Sequence, residues 1–164
     1  MCLMVYLGTD APVEGFSNPE IGVFGLEPEP VPHPAALAAK RYVYGVRERG
    51  EGMWFCSCDL EDTTHTQPGD WDDEDRSVTE EIYARLTVLL RAALAADPAP
   101  LLFSCELWSE TGEEVHAEPL HTATLSPSEI TPGRGVFNGF ATEPDWNPPT
   151  VIRLKPCHRE GRPT

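Results

Sequence analysis

A chain of 164 residues with 40% apolar and 24% charged side chains can bury roughly two thirds of its unfolded surface without staples, so one domain over residues 1–164 is expected. Its net charge, 12 − 27 = −15, repels phosphate and anionic lipid, which argues against nucleic acid and membrane surfaces and for basic partners or cations. No apolar run is long enough to span a bilayer and the N-terminus lacks a basic-then-apolar leader pattern, so a cytoplasmic protein is expected.

The charge is unevenly distributed. From Asp59 to Glu81 ten acids face Arg76 alone, so −9 of the −15 falls within 23 residues, whereas the tail carries Arg153, Lys155, Arg159 and Arg162 against Glu160. The five cysteines, Cys2, Cys56, Cys58, Cys105 and Cys157, are odd in number and irregular in spacing, unlike a secreted disulfide framework, and are expected to be reduced. The 17 prolines and 13 glycines predict a loop-rich fold.

In chain order, Leu3 to Leu7 is apolar on both faces and ends at Gly8-Thr9-Asp10, which reads as a central strand and a turn. Prolines at 12, 19, 28, 30 and 32 leave room for one short extended piece, Ile21 to Leu26, suited to a sheet edge. Pro34 before Ala35-Ala36-Leu37-Ala38-Ala39 starts one or two helical turns. Tyr42 to Arg47 and Met53 to Leu60, joined by a turn with two glycines, read as a β-hairpin. Period-2 alternation puts Trp54, Cys56, Cys58 and Leu60 on one face of its second strand.

Thr63 to Asp75 reads as an acidic loop. Ser77-Val78-Thr79-Glu80 forms a capping box that opens a helix, in which Ile82, Leu86, Leu89, Leu90, Ala93 and Leu94 make one apolar stripe. Asp97-Pro98 stops it. Leu101 to Trp108 is strand-like, with Leu101, Phe103, Cys105 and Leu107 on its core face. Ser126-Pro127-Ser128-Glu129 starts a short helix, and Val136-Phe137 and Val151 to Leu154 are candidate final strands. Strands on either side of one long amphipathic helix predict an α+β domain: a mostly antiparallel sheet with that helix packed on one face.

The densest chemistry lies in Trp54-Phe55-Cys56-Ser57-Cys58-Asp59-Leu60. Same-face residues two apart in a strand have Cα atoms about 6.6 Å apart, too extended for an unstrained disulfide but open to chelation through their rotamers. Cys56 and Cys58 are therefore candidate ligands of a soft metal, with Cys105 or Cys2 from neighbouring strands and His65 as further donors. Zinc would take four donors and copper(I) fewer; thiol redox chemistry draws on the same residues. Against this stands a core reading, in which the cysteines are small apolar side chains. A second class of function is an acidic interaction module of immunity or inhibitor type, whose 59–81 segment captures a basic partner by electrostatic steering.

Met1 to Asp10, Val43-Tyr44-Gly45-Val46 leading to Cys56-Ser57-Cys58, and Leu102 to Trp108 together resemble a family of small uncharacterised bacterial proteins, over roughly residues 1–10 and 42–108. The resemblance implies that the three cysteine-bearing strands belong together, and no chemistry beyond that. The family's second motif is Gly-Cys-Gly-Cys-Gly-Phe; here Phe55, Ser57 and Asp59 stand at the glycine positions, which puts in question any close backbone approach there.

Other patterns are weaker. Removal of Met1 would expose Cys2 as an N-terminal nucleophile with its own amine as base, but Leu3 stands where class II glutamine amidotransferases have glycine. Asp70, Asp72, Glu74 and Glu81 fit positions 1, 3, 5 and 12 of a calcium loop, yet Asp75 occupies the position that needs glycine. His116 and His121, five apart, fall on opposite faces of a strand and read as surface residues. No P-loop, G-x-S-x-G, G-x-G-x-x-G or H-E-x-x-H motif occurs.

Overall fold

The computed structural model describes residues 2–13, 24–28, 34–48, 60, 73–107, 118–132, 136–137 and 149–156. They form six strands, β1 (Cys2–Thr9), β2 (Phe24–Pro28), β3 (Tyr42–Glu48), β4 (Leu101–Leu107), β5 (His121–Leu125) and β6 (Thr150–Leu154), and one helix, α1 (Asp73–Ala96). The strands make one open sheet in the order β2-β3-β1-β4-β6-β5. Four pairings are antiparallel, and β5 with β6 is parallel. The fold is α+β, as the sequence predicts.

β1 is the inner strand its two-faced apolar pattern demands. Leu3, Val5 and Leu7 point to one side, where Leu102, Ile152 and Leu154 join them beneath Ile82, Tyr83, Leu86, Leu89, Leu90 and Ala93 of α1. Met4 and Tyr6 point to the other side and pack with Val43, Phe103 and Cys105 under Leu37. Tyr6 and Phe103 are register partners with stacked rings 6.4 Å apart. The sheet is thus buried on both faces at its centre, the pattern expected of strands without a polar side. α1 closes one face; Leu37, from the 3-10 turn Ala35–Leu37 that Pro34 opens, packs on the other.

The described residues between β5 and β6 include several that pack on the helix side. They open with a 3-10 turn at Pro127–Glu129, and Ile130 and Phe137 then pack into the α1 cluster, with the Phe137 ring 6.4 Å from that of Tyr83. Among the described residues no helix is long and apolar enough to cross a membrane.

Several expectations are corrected. The helix starts at Asp73, four residues before the Ser77 capping box, and Ser77 lies exposed within it. Residues 73–75 are therefore helical rather than loop. Phe103 and Cys105 do lie on a core face of β4, as expected, but it is the face away from α1; Leu102 on the other face meets the helix, because both faces of β4 are core. Val136-Phe137 is a turn, not a strand, held by burial of its aromatic ring. The edge strand near Ile21–Leu26 is found at Phe24–Pro28. The Met53–Asp59 half of the expected hairpin lies outside the described residues, and the partners of β3 within them are β1 and β2.

Candidate functional site

Of the five proposed metal donors, Cys105 and Cys2 fall on described backbone, while Cys56, Cys58 and His65 lie outside the described residues. Cys105 is fully buried in β4 among Met4, Tyr6 and Phe103. Cys2 opens β1 opposite Leu107, two places along the ladder from Met4, which is the partner of Cys105. Positions offset by two across paired strands have Cα atoms roughly 7–8 Å apart. The pairing therefore brings two of the cysteine positions onto adjacent strands. Among the described residues no three His, Cys, Asp or Glu side chains are grouped to hold a metal ion. Leu60, the one described member of the Trp54–Leu60 stretch, is fully buried in the helix-side core, and its carbonyl accepts a 2.8 Å hydrogen bond from the Tyr83 hydroxyl. His121 is exposed on β5, the surface position expected for it.

The most developed polar cluster among the described residues is one that motif reading misses. Lys40, just after the 3-10 turn, donates from Nζ to Asp10 Oδ2 at 2.7 Å, to Asp97 Oδ2 at 3.1 Å and to the Ala99 carbonyl at 2.6 Å. Asp97 is only 2% exposed. Its Oδ2 also accepts the Asp10 amide at 2.7 Å, and its Oδ1 accepts the Ala99 amide at 2.8 Å. A buried carboxylate is tolerable only when paired and hydrogen-bonded, and this one is both. Burial alone would raise the Asp97 pKa, but the amides of Ala99 and Asp10 and then Lys40 outweigh it and hold the carboxyl below the usual 3.8. Burial likewise pulls Lys40 down, yet its bonds to Asp10 and Asp97 hold it above the usual 10.5.

Gly8 makes this geometry accessible. A Cβ there would lie 2.9 Å from Lys40 Cγ and 3.1 Å from Leu37 Cδ2, so the bare backbone of β1 is the floor across which the lysine stem runs. Chemically the cluster is a latch. A lysine held protonated is no nucleophile, and a carboxylate held ionised by three donors is a poor base. It fastens the end of β1, the 3-10 turn and the α1–β4 junction to one another. No short sequence spacing announces it: Lys40 and Asp97 are 57 residues apart, and Asp97 followed by Pro98 reads locally as a helix stop.

A smaller cluster closes the β5 end. The Glu129 Oε2 accepts the Ser126 amide at 2.8 Å and the Ser126 hydroxyl at 2.9 Å, with Lys155 Nζ at 3.3 Å. The two Ser126 bonds, then Lys155, lower the Glu129 pKa to about 2. The start of the 3-10 turn is thus closed by the returning Glu129 carboxylate on Ser126.

Comparison with protein-family models, with curated proteins and with solved structures returns no match to this chain.

Proposed function

We propose that the chain is a small cytoplasmic thiol protein in which Cys56 and Cys58, joined by Cys105, Cys2 and His65, bind a soft metal, zinc or copper(I), or serve in thiol redox chemistry. The observation that supports this reading is the β1–β4 register, which sets Cys2 and Cys105 on paired strands with an offset of two. A zinc site would use four of the five donors, with the thiols deprotonated at about 2.3 Å from the metal. Purified protein should then carry metal in stoichiometric amount, and a chelator should lower its melting temperature. Metal-free protein whose Cys56 and Cys58 alkylate freely, with unchanged melting on chelation, would sink the metal reading in favour of a cysteine core.

A second reading, an acidic module that captures a basic protein, draws on Glu80 and Glu81, which stand exposed side by side on α1. Capture of a basic partner should weaken steeply between low and high salt. Salt-insensitive capture, or none, counts against it.

A further inference from the structure

We infer that this protein pairs with a second copy of itself through the edge of β5 that no other described strand covers, antiparallel about a two-fold axis at Ala123. The inference is independent of the thiol reading.

The ladder fixes which backbone groups are open. His121 donates its amide to the Pro149 carbonyl at 3.3 Å, and the Leu125 carbonyl accepts the Lys155 amide at 3.0 Å. In a strand the N–H and C=O of one residue point to the same side and those of the next residue to the other. His121, Ala123 and Leu125 therefore face β6, their register neighbour, and Thr122 and Thr124 turn two amides and two carbonyls outward. β5 ends the sheet, and no described residue bonds to these four groups.

Their spacing is self-complementary. Set antiparallel with a dyad at Ala123, Thr122 of one chain stands opposite Thr124 of the other, and each such pair exchanges two backbone hydrogen bonds. All four open groups on each chain are satisfied, threonine meets threonine, a favourable cross-strand pair, and Ala123 meets its own copy without bulk. His121 falls opposite Leu125, so no ionisable residues are opposed. From Leu120 to Leu125 the sequence Leu-His-Thr-Ala-Thr-Leu contains no acid and no proline, the devices that usually blunt an edge. The opposite edge has both: β2 includes Glu27 and ends at Pro28. Pairing through β5 alone is isologous and closes at two chains. Leu120, 72% exposed, adds apolar surface beside the pair.

Two terms oppose the dimer. A five-residue strand pair buries far less than the roughly 1,200 Å² of a stable interface, and each chain carries −15. Association is therefore expected to be weak, and to strengthen with salt as the repulsion is screened.

Sedimentation of the full chain from about 10 µM to about 1 mM, a range suited to so small an interface, should show mass rising toward twice the monomer, more readily in high NaCl. Thr124→Pro removes an outward amide and leaves the β6 ladder its donors; it should remain monomeric throughout with melting close to wild type. In the wild type, hydrogen exchange at the Thr122 and Thr124 amides should slow several-fold as concentration rises, a readout that stands even if the proline variant fails to fold. A wild type monomeric at the highest concentration, a Thr124→Pro chain that dimerises equally, assemblies that grow past two, or concentration-independent exchange would each overturn the proposal.

Discussion

A single methyl group added at Gly8 would have to displace the Lys40 stem, which cannot swing away because its ammonium is anchored at the other end by Asp10, Asp97 and the Ala99 carbonyl. Overpacking of this kind costs about 1–3 kcal/mol. Gly8→Ala is therefore expected to lower the urea midpoint, and Lys40→Ala to weaken that effect when the two are combined; additivity of the two losses would show that they do not share the site. Asp97→Ala should cost more, about 3 kcal/mol, since it removes one of the two carboxylates paired with a nearly buried ammonium and leaves two amides without their acceptor. The pH dependence follows from the same cluster. Asp97, held below 3.8, contributes stability that is present above that value and is lost as pH falls through its folded pKa. Lys40, held above 10.5, contributes stability that is present below that value and is lost as pH rises through its own. Asp97→Asn should flatten the acid limb of the stability profile and leave the limb set by Glu129, whose contribution disappears as pH falls from 4.5 toward about 2. An acid limb unchanged in Asp97→Asn would remove Asp97 from this role.

At the level of elements, α1 offers the clearest contrast between buried and exposed positions. Leu86 is fully buried against the sheet, whereas Val88, two residues on, is 54% exposed. Leu86→Ala should cost about 2–5 kcal/mol through the cavity it opens, and Val88→Ala should stay within about 0.5 kcal/mol; similar losses at both would mean that the helix does not sit on this face. The stripe is legible in the sequence because an apolar period of 3.6 residues held over three turns suits a helix and no strand. The start of α1 is not, because Ser77-Val78-Thr79-Glu80 satisfies a local capping pattern while the acids before it continue the helix, favoured by its positive end. β5 is hidden for the opposite reason: His121, Thr122 and Thr124 carry no apolar alternation, and their exposure on the edge strand is why none is needed. The burial of Cys105 in β4 can be read from its apolar neighbours, but which face meets α1 cannot when both faces are apolar. The Lys40–Asp97 latch leaves no trace in the sequence, since it joins three segments through single residues.

For the whole molecule, the excess of 15 negative charges acts against compactness at long range, whereas the nearly buried Lys40–Asp97 pair acts at short range. Raising NaCl from about 10 mM to about 1 M shortens the screening length from about 30 Å to about 3 Å. That removes most of the self-repulsion but barely touches Lys40 and Asp97, whose side chains are 8% and 2% exposed. The exposed Glu81–Arg85 pair on α1 is screened as well, but such pairs contribute only about 0.3–0.5 kcal/mol each. Melting temperature at fixed pH and protein concentration should therefore rise with salt; a fall would show that surface pairs outweigh the net charge. The same titration separates the three associations open to this chain. Capture of a basic protein must weaken as salt rises, self-pairing through β5 must strengthen because like charges are being screened, and soft-metal binding by thiolates, governed by short-range bonds, should change least. One salt series thus separates the sources: sedimentation tells self-pairing from the relief of self-repulsion within one chain, both of which raise melting with salt, and metal content isolates the thiolate site.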